Sequence, residues 1–235
     1  MARARFFGEV MAAHGMDGVD RVLDAGAGDA FFARELLRGR PNARATCWDG
    51  SYTDAQLREL PALDPRFQFV RERPTGRFDL LLLMDVLEHV DDDRSFLGTL
   101  VEENLQPGAR VLITVPAWQQ LFSEHDVALK HFRRYHPRAC ADLIEASGLT
   151  ILQSGGAFHS LVLARGAGLL KERVQRGRGR PTTASANLGQ WKGGEVVSAM
   201  IGGALRVDNL ASHLFARVGV NVAGLTWWAI CQKRS

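Results

Sequence analysis

The sequence predicts a doubly wound α/β fold around one mostly parallel sheet, and three observations indicate it. Helical and strand patterns alternate as far as about residue 155, as repeated βαβ units require. Residues 78–84 form an apolar run interrupted only by Asp79, which is typical of a parallel strand buried on both faces. A shorter apolar run at 21–25 breaks into a glycine-rich turn and is followed at once by a helical pattern. A chain of 235 residues can build one such domain with a smaller addition.

Each element follows from a local pattern. Apolar runs bounded by turn residues predict strands near 21–25, 43–48, 67–70, 78–84 and 109–115. Helical spacing predicts helices near 3–14, 30–38, 53–59, 93–104 and 137–147. Pro107 and Gly108 predict a turn before the fifth strand, whereas Pro137 suits the first turn of the last helix and Gly148 its end. Apolar runs at 149–154 and 225–231 predict a sixth and a seventh strand.

Bulk composition disfavours several classes of protein. The apolar fraction of 46% and the charged fraction of 23% are ordinary for a soluble globular chain. A net charge of +3 is too small to indicate nucleic-acid binding. Three widely spaced cysteines predict neither a disulfide framework nor a zinc site. The first residues lack the apolar stretch of a signal peptide, and no run of about 18 apolar residues occurs, so we expect a cytoplasmic protein.

The turn after the first strand carries the most chemical information. Gly26 and Gly28 lack a Cβ atom and tolerate positive φ, so the backbone here can come very close to a ligand. The start of the next helix adds free N–H groups and partial positive charge for an anionic group. A nicotinamide dinucleotide site needs a third glycine where Phe31 stands. Asp49 ends the second strand 21 residues after Gly28, where a carboxylate can accept two hydrogen bonds from a ribose diol.

Four features in this order resemble the class I S-adenosylmethionine-dependent methyltransferases, over about residues 20–160. They are the Asp-x-Gly-x-Gly turn, the acid after the second strand, the Asp-Val-Leu-Glu-His-Val loop at 85–90, and the turn with a fifth strand at 105–116. The usual third glycine is Ala30 here. The resemblance implies a Rossmann-like sheet of seven strands, whose last strand pairs antiparallel with the sixth, and S-adenosylmethionine as cofactor.

The resemblance also implies a cofactor site. The glycine turn would pass beneath the methionine and ribose parts, Asp24 would face the amino group, and Asp49 would hold the ribose hydroxyls. Glu72 stands where many relatives place an acid for adenine. The alternative is that Asp24 and Asp49 serve only the fold, each as a helix cap or a turn residue. The residues expected to bind the cofactor are Asp24, Gly26, Ala27, Gly28, Asp49, Glu72, Met84 and Asp85.

Methyl transfer from a sulfonium depends mostly on alignment, because the leaving group is already activated. Residues 123–135 resemble a segment of bacterial small-molecule methyltransferases that covers the mouth of the cofactor cleft. A histidine there can take the proton that an acceptor hydroxyl or amine loses. His125 and His131 are therefore the expected catalytic residues.

Glu88 and His89, with His131, also resemble divalent-metal ligands in small-RNA 2′-hydroxyl methyltransferases and in a ubiquinone-pathway O-methyltransferase. A carboxylate and imidazoles around an ion would lower the pKa of a hydroxyl. The same Glu-His pair is common in metal-free relatives, where it organises the loop, and we adopt that interpretation. A bound divalent metal stays open as the alternative.

The acceptor is expected to be small or lipid-like and partly apolar, because aromatic and imidazole side chains flank the cleft in such folds. The expected acceptor contacts are His89, Trp118, Tyr135, Phe158 and His159. Residues 1–154 and 224–235 are expected to form the core, and 155–223 a helical insertion between the last two strands.

The insertion has two parts. Residues 171–180 contain five basic side chains and two glycines, which predicts a solvated loop. Residues 195–218 have helical apolar spacing with one wide apolar face. That face can cover the acceptor as a lid, pair in a dimer or lie on a membrane, and we expect the lid.

These features predict a methyltransferase for a small or partly apolar molecule, with oxygen the expected acceptor atom. One alternative is methylation of a membrane-associated polyprenyl or quinone-like lipid, with the basic stretch on anionic lipid. Another is a catalytically silent cofactor-binding module, although the intact glycine turn and both acids argue against it. RNA methylation is disfavoured, and no nucleic-acid partner is expected, because no strong basic face is present. A peripheral membrane contact stays open, as do a monomer and a homodimer.

Overall fold

The computed structural model describes residues 2–177, 203, 207–212, 214–215 and 222–234. In this part of the chain seven strands form one sheet in the order β3-β2-β1-β4-β5-β7-β6. Every neighbouring pair is parallel except the two that contain β7, which runs antiparallel to β5 and to β6. The predicted fold class is therefore confirmed. The strands are β1 Arg21–Ala25, β2 Arg44–Trp48, β3 Phe67–Val70, β4 Phe78–Met84, β5 Leu105–Pro116, β6 Leu149–Ala157 and β7 Thr226–Lys233.

Helices connect the strands and cover both faces of the sheet. Their first turns carry the expected signals: Thr53 forms a capping box before α3, Asp92 caps α4, and Pro137 opens α6. The helices are α1 Ala2–Ala13, α2 Phe31–Leu36, α3 Asp54–Glu59, α4 Asp93–Asn104, α5 Glu124–Ala128, α6 Pro137–Ala146 and α7 His159–Gly177, with 3₁₀ turns at Met16–Gly18, Leu60–Leu63, Leu87–His89 and Gln119–Leu121.

The apolar run in β4 lies at the centre of the sheet, where both faces are covered. Leu80 and Leu82 pack in the cluster that contains α1 and α2, whereas Leu81 and Leu83 pack in the cluster that contains α4 and α6. All four side chains are fully buried. Successive strand residues face opposite sides of a sheet, so the central part of a strand between two helical layers needs apolar residues at successive positions.

Helix α1 is fixed to the sheet by aromatic side chains. Phe6 and Phe7 are fully buried, and their rings lie edge-on to Trp228 of β7 at centroid distances of 5.7 and 6.3 Å. Each such ring contributes about 1.5–3 kcal/mol by burial. This packing brings the first turn of α1, with Arg3, to the ends of β4 and β5.

The backbone of β6 passes very close to the segment that leads into β7. A Cβ atom at Gly156 would lie 2.2 Å from the carbonyl oxygen of Val222, and one at Gly224 would lie 2.3 Å from that of Ala157. Only glycine fits at both positions, which explains why the edge pair can join so tightly.

Two predicted elements differ from the structure. The turn predicted at 106–108 is part of β5, because Phe78 pairs with Leu105 and Leu80 with Arg110, and the shift in register absorbs the intervening residues. The solvated loop predicted at 171–180 was wrong as far as Gly177, because these residues continue α7. Residues 171–177 extend a helix that begins at His159. Lysine, arginine and glutamate are good helix formers, so the basic residues do not end the helix.

Other predictions concern the insertion. The helix predicted at 195–218 lies largely outside the described residues; of its length, 203, 207–212 and 214–215 are described and helical. β6 continues to Ala157, three residues beyond the predicted end of the core. All three cysteines are buried free thiols. None of the helices in the described ranges is long and apolar enough to cross a membrane.

Candidate active site

The candidate site lies where β1, β2 and β4 end. β1 pairs with β2 on one side and with β4 on the other, so the chain order reverses between β1 and β4. Ligands of doubly wound proteins bind in the crevice at such a switch point. The glycine turn that follows β1, the loop after β4 and the end of β2 all meet here.

The glycine turn is shaped by its neighbours and open on one side. Gly26 has φ of 70°, its N–H donates to the Trp48 carbonyl oxygen at 2.7 Å, and a Cβ atom there would lie 2.6 Å from Val86. At Gly28, φ is 54°, and a Cβ atom would meet no atom within 4 Å. Gly26 is thus required for packing, whereas Gly28 leaves space for a ligand to approach the backbone. Ala27 between them is half-buried.

Ala30, where the motif has its third glycine, adopts a backbone conformation that glycine favours. Its φ of 53° and ψ of 21° are left-handed, and it stands directly before α2. Such a conformation costs a non-glycine residue about 1–2 kcal/mol. The turn therefore retains the geometry that the motif implies.

Two carboxylates flank the turn. Asp24 of β1 is buried, and burial first, then the charges of Asp49 and Asp29, raise its pKa to about 7. Asp49 is half-buried and accepts hydrogen bonds from the Gly28 N–H at 3.1 Å and from the N–H and hydroxyl of Ser51 at 2.9 and 2.6 Å. Asp49 therefore also stabilises the turn that follows β2, which was the alternative role considered for it.

An unpredicted arginine reaches the loop after β4. The Arg3 guanidinium lies 2.6 Å from the Asp85 carboxylate and donates to the Thr114 hydroxyl at 2.8 Å, and that hydroxyl donates to Asp85 at 2.9 Å. Burial alone would raise the pKa of Asp85, but Arg3 and these hydrogen bonds hold it below its ordinary value. Arg3 lies in α1, 82 residues before Asp85, and no local sequence motif predicts the contact between them.

Met84 and Glu72 are two further residues that were expected to bind the cofactor. Met84 is half-buried at the end of β4 and packs against the α1 side of the core. Glu72 is exposed beyond the end of β3, and in the described part of the chain no hydrogen bond joins it to the glycine turn. The contacts of Glu72 therefore do not define a role for it.

Glu88, His89 and His131 come together in a second group. One potential ligand atom from each side chain lies within 4.8 Å of the others, and the two imidazole rings are 4.6 Å apart at 86°. The Phe132 N–H donates to the Glu88 carbonyl oxygen at 2.8 Å, which ties the two loops. Burial, and then the charge of Asp85, raise the pKa of the Glu88 carboxyl to about 9. These three residues could hold a metal ion.

Asp126 organises the loop that carries His131. It is fully buried, and its carboxylate lies 3.1 Å from Nδ1 of His131, 2.8 Å from Arg134 and 2.5 Å from Arg165. Burial would raise the pKa of Asp126, but both guanidinium groups hold it below its ordinary value, so the carboxylate is ionised. His125 lies on the same short helix, but no hydrogen bond joins its ring to this cluster.

The expected acceptor contacts are divided among different places. Trp118 lines a cavity of about 310 Å³, and its Nε1 donates to the Gly224 carbonyl oxygen at 2.9 Å. Tyr135 is buried, with its hydroxyl 2.6 Å from Asp93 and 3.1 Å from the Leu87 carbonyl oxygen, so it fixes the loop after β4. Phe158 is buried in the core on the α1 side. His159 lies 2.9 Å from the Ala223 carbonyl oxygen and 3.0 Å from the Ser212 hydroxyl.

Comparison with known proteins agrees with this architecture. A family model described as a methyltransferase domain matches residues 3–154. The mitochondrial ubiquinone biosynthesis O-methyltransferase of Schizosaccharomyces pombe is 28% identical over 123 residues, which cover 48% of this chain and 44% of that protein. The chain thus spans less than half the length of this curated relative.

Solved structures show the same fold at low sequence identity. A candidate sarcosine dimethylglycine methyltransferase from Galdieria sulphuraria superposes with a TM-score of 0.58 at 15% identity, covering 97% of this chain and 85% of that one. An S-adenosylmethionine-dependent methyltransferase from Archaeoglobus fulgidus gives 0.54 at 15% identity, covering 98% and 94%. With its glycine turn, its switch-point acids and its strand order, the chain belongs to the class I S-adenosylmethionine-dependent methyltransferases.

Proposed function

We propose that this protein transfers the methyl group of S-adenosylmethionine to an oxygen atom of a small, partly apolar acceptor. The observation that carries the proposal is the glycine turn at the switch point, with open space beside Gly28 and the carboxyl groups of Asp24 and Asp49 next to it. A turn that served only the fold would not need a buried carboxyl group with a raised pKa beside open space.

The residues at the turn suit the polar parts of the cofactor. Asp49 would accept hydrogen bonds from the ribose hydroxyls, and Asp24 would pair with the methionyl ammonium group. That cation would lower the pKa of Asp24 from about 7 and favour its ionised form. The cofactor supplies a methyl group already activated by its sulfonium, so the protein's task is to hold the acceptor in line and exclude water.

One observation favours an oxygen acceptor, and a second is compatible with it. The similar Schizosaccharomyces pombe protein is named an O-methyltransferase. Burial, and then the neighbouring His89, hold the pKa of His131 below its ordinary value, so this imidazole is neutral at pH 7. Its Nδ1–H is directed to Asp126, which leaves Nε2 to accept the proton that a hydroxyl loses.

Cofactor binding is tested by calorimetry with S-adenosylhomocysteine. We expect Asp49→Ala to weaken binding by about 1.5–3 kcal/mol, since a charge-assisted hydrogen bond to the ribose is lost. Asp49→Asn keeps an acceptor for the Gly28 N–H and separates the lost charge from a loosened turn. Asp20→Ala, at the opposite end of β1, is the control. Wild-type affinity in both Asp49 variants would remove this residue from the site.

The acceptor atom is tested with labelled S-adenosylmethionine and two matched panels, one of phenols and one of the corresponding anilines. Transfer to phenols supports the proposal. Transfer confined to anilines would show that nitrogen is the acceptor and leave the cofactor assignment intact.

A second candidate is methylation of a quinone-like or polyprenyl lipid at a membrane surface. The observation that favours it is an apolar row on α7, where Leu163, Leu170 and Val174 are 81%, 65% and 46% exposed. The spacing of seven and four residues places them on one side of the helix. The similar fission-yeast protein is named for ubiquinone biosynthesis, which agrees with such an acceptor.

A further inference from the structure

We infer that a cavity beside α6 binds a small aromatic carboxylate. The cavity has a volume of about 310 Å³ and lies between the first turn of α6, the residues that follow β5 and the segment that leads into β7. None of the residues placed above at the glycine turn, in the loop after β4 or in the Asp126 cluster lines it. This site is therefore separate from the cofactor crevice, and the inference does not rest on the proposed function.

The walls of the cavity suit a flat apolar ring. Trp118 and Trp227 line it, and aromatic side chains pack well against the rings of a ligand. Ala117 and Ala141 also line it, and because their side chains end at one methyl group, they leave the space between α6 and the sheet open. The volume falls at the lower end of the range for small-molecule sites, which fits a ligand with one or two rings.

The Trp227 indole offers a hydrogen-bond donor that nothing in the described ranges uses. The residue is 3% exposed, and its Nε1 has no partner among the atoms that these ranges contain. Nε1 of Trp118, by contrast, donates to the Gly224 carbonyl oxygen at 2.9 Å. Buried indole N–H groups usually have a partner. Nε1 of Trp228 also lacks one, but that indole packs among the aromatic rings of α1 and does not line this cavity.

Arg138 supplies positive charge at the exposed side of the cavity. Its neighbours Arg133 and Arg134 form ion pairs with Asp93 and Asp126. The Arg138 guanidinium forms no ion pair or hydrogen bond with any residue that the structure describes. A cation in the first turn opposes the helix dipole, so Arg138 does not stabilise α6. A free guanidinium group above an apolar cavity favours a planar anion such as a carboxylate.

The wall that Trp118 forms is rigid. Its φ of 67° and ψ of 98° are unusual for a bulky residue. The conformation is held at both ends, because the Trp118 N–H donates to the Tyr135 carbonyl oxygen at 2.8 Å and the indole donates to Gly224. The His136 ring lies edge-on to the indole at 5.3 Å. Strained residues of this kind cluster at binding sites, and a wall fixed in advance lowers the entropic cost of binding.

These features also give the ligand an orientation. Trp227 is buried and Arg138 is exposed, so the uncharged end of the ligand would enter first and the carboxylate would stay at the surface. The ring would pack against Trp118, and an oxygen atom on its far side would accept a hydrogen bond from Nε1 of Trp227. Para-coumarate has this arrangement. Cinnamate lacks the far oxygen, and para-coumaramide lacks the charge, so the three molecules form a matched set of probes.

The test is calorimetric titration of the full chain with the three probes, without cofactor. We expect one para-coumarate per chain, bound more tightly than either analogue. Trp227→Phe should weaken para-coumarate binding about three- to tenfold and leave cinnamate unchanged, because one hydrogen bond is lost. Arg138→Gln should weaken both carboxylates about two- to fivefold and leave the amide unchanged. Ala141→Phe, which fills the cavity, should abolish binding of all three.

Two variants are matched controls. Trp228→Phe removes an indole N–H that is equally buried and unpaired but lies on the other face of the sheet. Arg58→Gln removes an exposed arginine from α3. Both should bind para-coumarate like the wild type. Because Arg138 is exposed, Arg138→Gln should fold even where a buried substitution does not.

The position of the probe can be read from the indole N–H signals of the five tryptophans in nitrogen-labelled protein. The signal that disappears in Trp227→Phe should shift on addition of para-coumarate. Absence of binding to folded wild-type protein, or unchanged binding by Ala141→Phe, would overturn the inference. A shift of the Trp48 signal alone would do the same, since Trp48 lies at the cofactor crevice. S-adenosylhomocysteine binding, measured in parallel, reports on the proposed function separately.

Discussion

At the scale of single residues, the site depends on two glycines and two acids whose roles differ. Gly26 is constrained by Val86, whereas Gly28 faces open space. Asp24 is buried, whereas Asp49 accepts one hydrogen bond from the Gly28 N–H and two from Ser51. All four positions were predicted from the sequence, but only the packing of Val86 against Gly26 distinguishes a glycine that serves the fold from one that faces open space.

Gly26→Ala should destabilise the protein more than Gly39→Ala. Both glycines have positive φ, of 70° and 83°, but only the Cβ atom at Gly26 would meet another atom, Val86, at 2.6 Å. We expect a cost of about 1–2 kcal/mol from backbone strain at either position and about 1–3 kcal/mol more from overpacking at Gly26. Urea unfolding measures both. The contact with Val86 is not the cause if both variants lose the same free energy of unfolding. The same holds if adding Val86→Ala to Gly26→Ala restores no stability.

Asp24→Asn should stabilise the ligand-free protein at high pH. Because the pKa of Asp24 is raised from 3.8 to about 7 on folding, the unfolded chain ionises first, and stability is lost as the pH rises from about 4 to 7. Asp24→Asn lacks this loss. Its free energy of unfolding should therefore nearly equal that of the wild type at pH 4 and exceed it by about 2–4 kcal/mol above pH 7. Urea denaturation across this range, with exposed Asp20→Asn as the control, tests it. A pH-independent difference would contradict the assignment.

At the scale of elements, the strands were the most predictable part because periodicity records them directly. β1 to β4 lie within a residue of their predicted ranges. β5 was harder, because a proline and a glycine inside an irregular strand look the same in sequence as a turn before it. Helix α7 was not predicted as a separate element, and its last two turns were predicted as a loop, since a run of basic residues is compatible with both helix and loop.

Helix α7 reaches the candidate site through Arg165. Arg165 reaches Asp126, and Asp126 orients His131. The contact supports a lid role for the insertion, which stays a prediction. Long-range side-chain contacts of this kind carry no sequence signature, and the same is true of Arg3 with Asp85.

If α7 rests on a membrane, removing its apolar row should release the protein from vesicles. We expect wild-type protein to float with vesicles of phosphatidylglycerol and phosphatidylcholine, and Leu163→Asn with Leu170→Asn to reduce the bound fraction several-fold, because buried apolar area drives interfacial binding. Leu152→Asn, at an exposed leucine of β6, is the matched control. Wild-type protein that does not float would remove the support for a lipid acceptor at a membrane.

At the scale of the whole molecule, the fold class and the cofactor edge could be predicted because buried strands and glycine turns are local in sequence. The residues that contact the acceptor could not be predicted in the same way. Tyr135 and Phe158 were expected to contact an acceptor, yet both are buried in the structure, since an aromatic residue that flanks a cleft in sequence can pack either way. Glu88, by contrast, looked like a loop residue until its unpaired burial became visible.

The position of β7 has a consequence for biosynthesis. β7 fills the place between β5 and β6, although about 70 residues separate it from β6 along the chain. During translation β5 and β6 must therefore wait with unpaired edges until residues 226–233 leave the ribosome. Exposed edges of this kind recruit strands from other chains. A nascent chain stalled within the insertion should consequently bind chaperones more strongly than the completed protein does.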